Sequence, residues 1–370
     1  VSASLTVQEQ PEILGNISSN TVCEGSGALF TVNSGVTTNP AYQWQVSTNG
    51  GVTYSNLVNA GKYSGALSNL LIINPTALTD NGNLYRVMVS GDCSPSVTST
   101  SGLLTVDGIA NITSGPSDVT QCENENVSFS VSATGGGLTY QWEEDSGSGF
   151  GPLSNGGIYS GVTTSTLTLT GISSGDNGNV YRVVVTNSTP ACLGGTTTSS
   201  TATLTVNDIP EIITQPTASV ICDGGNTSFS VDEGVTTGAT FQWQLSTNGG
   251  SSYSNLSNTG IYSAVTTNTL TITAATIVED GNLYRVVVGG TCSPSVISDA
   301  GILSVEEEAL ITVDPVNATA CEGSTVSYSV SAMGTDLTYQ WRENGGNISD
   351  GGIYSGATTS TLTLTGITNA

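Results

Sequence analysis

Histidine is absent from the sequence, which excludes catalytic triads, imidazole bases and histidine-ligated metal sites. Positive charge is scarce as well, because five basic residues stand against 29 acidic ones. Such a surface repels phosphate backbones and anionic lipids, so we expect neither nucleic acid nor a membrane surface as a partner. No apolar run approaches the roughly 20 residues that cross a bilayer, so we expect no membrane insertion of this segment.

Helical periodicity is also missing over any useful length. The apolar residues alternate with polar ones instead, as in TLTLTGI (166–172) and SFSVSA (128–133). Alternation between turns rich in glycine and asparagine is typical of strands that have one buried face. The sequence therefore predicts an all-β protein.

Cysteine and tryptophan recur along the chain at a nearly constant spacing. The early cysteines and the tryptophans that follow them are Cys23, Cys122, Cys222 and Cys321, then Trp44, Trp142, Trp243 and Trp341. A late set comprises Cys93, Cys192 and Cys292. QWQVSTNGG (43–51) returns as QWQLSTNGG (242–250), and TTSTLTLTGI (163–172) returns at 358–367. The repeating element is therefore a pair of similar domains.

Each complete copy also contains an octet such as DNGNLYRV (80–87). A tryptophan on the third strand and a tyrosine after such a corner mark an immunoglobulin-like sandwich. We expect the tryptophan to fill the space between the sheets and the tyrosine hydroxyl to bond back to the corner backbone. The predicted core residues are Trp44, Trp142, Trp243, Trp341, Tyr85, Tyr181 and Tyr284. Valines such as Val32 and Val87 stand where antibody domains have their core disulfide.

The predicted fold is therefore a series of tandem immunoglobulin-like β-sandwiches in a linear array. The predicted boundaries are 1–7 for the last strand of a preceding domain, 8–106 for repeat 1, 107–206 for repeat 2, 207–305 for repeat 3 and 306–370 for repeat 4, which lacks its last two strands. Connectors such as VDGIANI (106–112) are short and contain no Gly/Ser-rich spacer, so we expect an extended array with restricted bending.

At these residues the chain resembles the immunoglobulin-like repeats of very long secreted and cell-surface proteins of gliding and related bacteria. The motifs that carry the resemblance are CEGS (23–26 and 321–324), YQWQVSTNGG (42–51), IYSGVTTSTLTLTGI (158–172) and GNLYRVVV (281–288). The resemblance implies an exported protein of many domains, used as a stalk, adhesin or filament. Its implied partners are further immunoglobulin-like domains of the same chain or fibre.

Candidate catalytic residues are few, and we expect no enzyme. The glycine-rich SATGGGLTYQW (132–142) lacks the lysine and the following helix of a phosphate loop, so it predicts turns. Glu143 and Glu144 are adjacent on a strand and therefore face opposite sides, which favours surface charge over acid–base chemistry.

Calcium is the one cofactor that the sequence leaves open. Asp80, Asp176 and Asp280 lie in the corner turns and could bind it together with linker acids such as Asp107 or Asp208. The favoured interpretation is turn capping, since Asp and Asn side chains bond to their own backbone two residues on.

Lysine is nearly absent, which limits covalent Lys–Asn cross-links of the kind that stabilise domains in bacterial stalks. Lys62 is the only lysine, and it replaces the isoleucine of the GIY motif in the other repeats. Such a link is therefore excluded from three repeats and is not expected in the first.

Two classes of function remain. The first is a structural, extracellular stalk, spacer or fibre; the alternative is an adhesin module whose loops bind a surface glycan or protein. Binding loops usually diverge and carry aromatic residues, whereas these loops are nearly copied between repeats, with the exception of FGPL (150–153). We therefore favour the structural class.

The cysteines allow more than one pairing. Pairing within a repeat, such as Cys23 with Cys93, is opposed by geometry. Each early cysteine precedes the core valine of the second strand, and each late one follows the core valine of the sixth. These strands run in the same direction, so the two cysteines lie about 20–30 Å apart, whereas a disulfide needs Cα atoms within about 7 Å.

In a tandem array the early cysteine of one repeat instead faces the late cysteine of the next. The sequence predicts the inter-domain bridges Cys23–Cys192 and Cys122–Cys292, while Cys93, Cys222 and Cys321 would pair outside the sequence. Unpaired thiols and a different strand order are the alternatives.

Overall fold

The computed structural model describes residues 2–369, and the chain divides into two compact units, residues 1–206 and 207–370. Repeat 1 contains β1 (Asn20–Cys23), β2 (Ala28–Thr31), β3 (Ala41–Ser47), β4 (Ser55–Asn56), β5 (Tyr63–Ser64), β6 (Leu70–Ile73), β7 (Leu84–Ser90), β8 (Val97–Thr98) and β9 (Gly102–Asp107). Repeat 2 contains β10 (Asn111–Ser114), β11 (Val119–Cys122), β12 (Val127–Ser130), β13 (Ser132–Thr134), β14 (Leu138–Asp145), β15 (Gly151–Pro152), β16 (Tyr159–Ser160), β17 (Thr166–Leu169), β18 (Val180–Asn187), β19 (Thr196–Thr198) and β20 (Ala202–Asn207).

The second unit continues the pattern. Repeat 3 contains β21 (Ser219–Cys222), β22 (Gly225–Ser230), β23 (Thr240–Ser246), β24 (Ser254–Asn255), β25 (Tyr262–Ser263), β26 (Thr269–Ala275), β27 (Leu283–Gly289), β28 (Val296–Ile297) and β29 (Gly301–Glu306). Repeat 4 contains β30 (Leu310–Val313), β31 (Thr325–Ser329), β32 (Ser331–Met333), β33 (Arg342–Glu343), β34 (Gly346–Asn347), β35 (Tyr354–Ser355) and β36 (Thr361–Thr365). Single 3₁₀ turns form the corners of repeats 1 to 3, namely η1 (Leu78–Asp80), η2 (Ser174–Asp176) and η3 (Ile277–Glu279).

Repeats 1 to 3 share the same two main sheets, and repeat 2 has in addition the two-stranded sheet β10-β13. In repeat 1 one sheet has the order β1-β9-β7-β3-β4, with β8 also on β7, and the facing sheet has the order β2-β6-β5. β1 pairs with β9 in parallel, and the remaining pairs are antiparallel. This arrangement confirms the predicted all-β fold class of tandem immunoglobulin-like sandwiches.

Repeat 4 retains only part of this topology. Its β31-β36-β35 sheet matches the smaller sheet of the other repeats. Up to residue 369, however, no strand corresponds to β18 or β20 of repeat 2. Trp341 is consequently only half-buried, whereas Trp44, Trp142 and Trp243 are fully buried.

The tryptophans of repeats 1 to 3 lie between the two sheets, and all four tryptophans form a hydrogen bond with their one polar atom. Their Nε1 groups donate to the carbonyl oxygens of Ser68, Thr164, Thr267 and Thr359, each at 2.9 Å. A buried indole contributes a large apolar area, and the hydrogen bond avoids the cost of leaving its N–H unpaired.

The corner tyrosines are completely buried, but the predicted bond from their hydroxyl to the corner backbone is wrong. Tyr181 Oη donates to Glu144 Oε1 at 2.6 Å, and Tyr284 Oη lies 3.3 Å from Tyr262 Oη. Tyr85 Oη has no hydrogen-bond partner among the described residues. Register explains the difference, because Tyr181 stands directly opposite Glu144 in the β14–β18 ladder. A side chain on the third strand therefore reaches the hydroxyl.

Candidate functional site

The junction between repeats 1 and 2, inside the first unit, is the candidate functional site. β1 runs parallel to β9, which places Cys23 beside Asp107, the last residue of β9. Cys192 lies in the turn that follows β18. A disulfide joins Cys23 to Cys192 across 169 residues of sequence, with a Cα–Cα distance of 4.9 Å. Cys192 Sγ also lies 3.3 Å from the Asp107 carbonyl oxygen.

This pair is the one that the sequence predicts, and the strand order supplies the reason. Cys23 is the last residue of β1, which runs parallel to the closing strand β9. Cys23 therefore lies at the same end of repeat 1 as the last residue of β9. Cys122 and Cys292 are disulfide-bonded as well, and their pairing with each other stays a prediction. Cys93, Cys222 and Cys321 are thiols in this structure. Their pairing beyond the sequence also stays a prediction.

Asn187 fastens the connector between the two repeats, and sequence reasoning missed it. Its side chain is completely buried. Nδ2 donates to the carbonyl oxygens of Gly108 and Gly136 at 3.0 and 2.9 Å, and Oδ1 accepts from the Ala110 N–H at 2.6 Å. Three backbone groups of two segments thus depend on one amide. The only signal in the sequence is that Asn187 stands where repeats 1 and 3 have Gly91 and Gly290.

Repeats 1 and 3 fasten their preceding segments with threonine instead. Thr37 Oγ1 accepts from the Glu12 N–H at 3.0 Å, and Thr236 Oγ1 accepts from the Glu211 N–H at 3.0 Å. A side chain at Gly91 would place its Cβ 2.7 Å from the Thr38 carbonyl oxygen, so the close approach requires glycine there. Each of these three repeats therefore binds the segment that leads into it.

The corner carboxylates cap their own turns. Asp80 Oδ2 accepts from the Ala77 N–H at 2.9 Å, and Asp176 Oδ2 accepts from the Ser173 N–H at 2.8 Å. Asp280 does not cap the corner turn; its Oδ1 instead accepts a hydrogen bond from the Val305 N–H of the closing strand at 2.8 Å. The residue equivalent to Asp80 in repeat 3 is Glu279, which caps Thr276. The described residues contain no group of three metal-ligating side chains, and calcium binding stays a prediction.

Glu144 is the centre of a polar cluster inside repeat 2, so its interpretation as surface charge is wrong. Its Oε1 accepts from Tyr181 Oη at 2.6 Å, Tyr159 Oη at 2.7 Å and Asn179 Nδ2 at 3.0 Å. Burial raises the pKa of Tyr181, and the hydrogen bond to Glu144 raises it further. The pKa of Tyr159 is raised by the same two causes. Both phenols therefore act as neutral donors to the carboxylate.

Each complete repeat also stacks an arginine on an aromatic ring on its larger sheet. The guanidinium carbons of Arg86 and Arg285 lie 3.7 Å from the ring centroids of Tyr54 and Tyr253. In repeat 2 the corresponding pair is Arg182 on Phe150, at 3.9 Å. Phe150 belongs to the FGPL loop, the loop whose sequence differs from those of the other repeats. Its ring takes the place of Tyr54 and Tyr253 in the stack.

Charge distinguishes these three stacks. Arg182 Nε forms an ion pair with Glu143 Oε2 at 2.7 Å, whereas the Nε atoms of Arg86 and Arg285 donate to neutral glutamines.

Among residues 2–369, no helix is long and apolar enough to cross a lipid bilayer.

Comparison with solved structures shows the same fold. The chain is similar to the I-band fragment of titin that contains three immunoglobulin domains, with 14% identity and a TM-score of 0.56 over 81% of this chain and 99% of that chain. It also matches immunoglobulin domains 1–5 of Sidekick-1, with 16% identity and a TM-score of 0.36 over 98% and 74%. Extracellular domains 3–5 of Drosophila OTK match with 17% identity and a TM-score of 0.34 over 82% and 99%. No protein-family model and no curated protein sequence matches the chain.

Proposed function

We propose that this chain is a structural, extracellular repeat array that serves as a stalk, spacer or fibre of a very long bacterial surface or secreted protein. The observation that carries the proposal is the disulfide between Cys23 of repeat 1 and Cys192 of repeat 2. A covalent bond between successive domains restricts their separation under load. Its role is mechanical and not catalytic.

The remaining support comes from chemistry and sequence. Disulfides persist in oxidising, extracellular compartments, which favours an exported protein. The buried Asn187 amide adds three hydrogen bonds at the same junction. The bacterial context rests on the resemblance of motifs such as YQWQVSTNGG (42–51). A net charge of −24 keeps such chains soluble and apart.

Pulling single molecules by their two ends tests this function. With the Cys23–Cys192 bond intact, the chain between these residues cannot extend, even after both sandwiches unfold. To keep any Cys122–Cys292 bond from holding part of this segment, the comparison is made with Cys122 and Cys292 both replaced by serine; there, the additional variant Cys23→Ser should release the chain, and 169 residues at full extension correspond to about 600 Å of additional length. The matched control is Cys93→Ser, which removes a free thiol and should leave the extension unchanged. Equal extension of the oxidised protein and Cys23→Ser would refute a load-bearing bridge.

A binding function is the second candidate, favoured by one observation. Arg86 and Arg285 carry charges that are paired with no acid among the described residues, and each is stacked on a tyrosine. Stacked arginines and tyrosines are frequent anchors in binding interfaces. Binding to a panel of glycans that is lost in Arg86→Ala, and retained in the ion-paired control Arg182→Ala, would favour this alternative.

A further inference from the structure

The single lysine of the chain lies against a buried carboxylate in repeat 1. Lys62 is in the turn before β5, and Asp80 ends the corner turn η1. Lys62 Nζ contacts Asp80 Oδ1 directly. Asp80 is only 2% exposed. The sequence predicts no Lys–Asn cross-link in this repeat, but in the structure the lysine contacts the carboxyl group of an aspartate instead of an asparagine.

The other repeats show that turn capping does not require this lysine. Ile158 and Ile261 occupy its place in repeats 2 and 3, while the corner carboxylates Asp176 and Glu279 remain half-buried and cap their own turns. Asp80 makes the same capping bond through Oδ2. Lys62 and the deep burial of Asp80 are therefore additional features of repeat 1.

The two partners differ in exposure, because the Asp80 side chain is buried whereas the Lys62 side chain is 29% exposed. Lys62 Nζ lies 5.5 Å from the centroid of the Tyr63 ring, and the fully buried Tyr85 hydroxyl has no hydrogen-bond partner among the described residues. The residue opposite Tyr85 in the β3–β7 ladder is Val46, where repeat 2 has Glu144. Separated charges are disfavoured in such an environment, so an ion pair alone is weak evidence of stabilisation. Transfer of one proton from Nζ to Oδ1 across this direct contact gives an amine and a carboxylic acid, the two groups that can form an amide.

We propose that Lys62 and Asp80 condense to an intramolecular amide, an isopeptide cross-link within repeat 1. The amine lone pair attacks Cγ of Asp80, the Nζ–Cγ bond forms and the Cγ–Oδ1 bond breaks. Of the three protons of the lysine ammonium, two leave with Oδ1 as water and one stays on the amide nitrogen. The ion pair therefore contains every atom of the products, and no oxidant or co-reactant is needed.

The fold supplies the two contributions that this reaction requires. It holds the nucleophile against the acyl group, which replaces a bimolecular encounter by an intramolecular one. The Ala77 N–H donates to Oδ2, the atom on which negative charge develops during the attack. The product closes a covalent loop around β5 and β6. The inference concerns repeat 1 alone and does not depend on the proposed function.

A lysine-specific endoprotease provides a direct test, because acylated lysine is not cleaved and Lys62 is the only lysine. The full chain is reduced, alkylated, denatured and digested. We expect it to stay whole and to weigh one water molecule less than the mass calculated for its fully alkylated sequence. Asp80→Ala should be cut completely into residues 1–62 and 63–370. Asp176→Ala, which removes the equivalent carboxylate from a repeat without lysine, should stay whole and controls for a general loss of folding.

Peptide mapping decides between the cross-link and other losses of water, such as succinimides at Asp–Gly sequences. A branched peptide that joins Lys62 to Asp80 is expected in the intact chain and in Asp176→Ala. Cleavage of the wild-type chain at Lys62 would overturn the proposal. So would resistance of Asp80→Ala, or a mass deficit that maps only to linear peptides.

Discussion

Replacing Asn187 with alanine removes the amide that ties the connector to repeat 2. The side chain is completely buried and makes three hydrogen bonds, to Gly108, Gly136 and Ala110. At about 1 kcal/mol for each bond, we expect a loss of about 3 kcal/mol. Such a loss corresponds to an increase of about 100-fold in local opening, since every 1.4 kcal/mol is a factor of ten.

Hydrogen exchange measured by mass spectrometry localises this effect. The Ala110 N–H donates to Asn187 Oδ1, so the peptide over residues 106–112 should lose its protection first. Asn187→Asp separates hydrogen bonding from packing, because it has the same shape but turns two donors into an acceptor that faces two carbonyl oxygens. We expect it to exchange at least as fast as Asn187→Ala.

The matched control is Asn126→Ala in the same repeat. Asn126 is exposed and its Oδ1 accepts one hydrogen bond, from the Gly171 N–H at 3.0 Å. Its removal should cost less than about 1 kcal/mol and leave residues 106–112 protected. Slow exchange in Asn187→Ala, or mild behaviour of Asn187→Asp, would refute the assignment of junction stability to this amide.

Two further predictions concern the interior of the repeats. Burial, followed by the hydrogen bond to Glu144, raises the pKa of Tyr181 above its ordinary value of 10.0, so the stability that it contributes is complete below pH 10.0 and decreases above it, where the unfolded chain ionises first. Denaturant unfolding of repeat 2 at increasing alkaline pH should show this decrease, and Tyr181→Phe should reduce it; an unchanged pH profile in that variant would contradict the argument. Ala264 has a φ of +59°, where the other repeats have glycine, so Ala264→Gly should stabilise repeat 3 by about 1 kcal/mol. A lower denaturation midpoint for Ala264→Gly would show that its methyl group contributes packing that outweighs the backbone cost.

Much of the architecture could be predicted from the sequence, because each repeat carries its own local signals. Alternating runs such as TLTLTGI (166–172) predict strands, and the regularly spaced tryptophans predict side chains that pack between two sheets. The order of early and late cysteines along strands of known direction was enough to predict the pair Cys23–Cys192. These inferences need only the periodicity of the sequence and the strand order of the immunoglobulin-like fold that its motifs indicate.

Contacts between distant residues could not be predicted in this way. Asn187 reads as an ordinary polar residue at the end of a strand, and only packing shows that it binds Gly108 and Ala110, about 80 residues away. Glu144 reads as surface charge until the register sets it opposite Tyr181. The contact between Lys62 and the buried Asp80 likewise depends on the close approach of two turns.

The segment TYQW, which occurs in repeats 2 and 4, shows most clearly the difference between what local sequence predicts and what tertiary pairing decides. Residues 139–142 belong to β14, which pairs along its whole length with β18. The same letters at 338–341 form no strand, since no equivalent of β18 is present up to residue 369. The sequence by itself determined which residues could be a strand with one buried face. Whether they became one was decided by the tertiary structure, because a strand's backbone hydrogen bonds are made to a neighbouring strand and not within the segment.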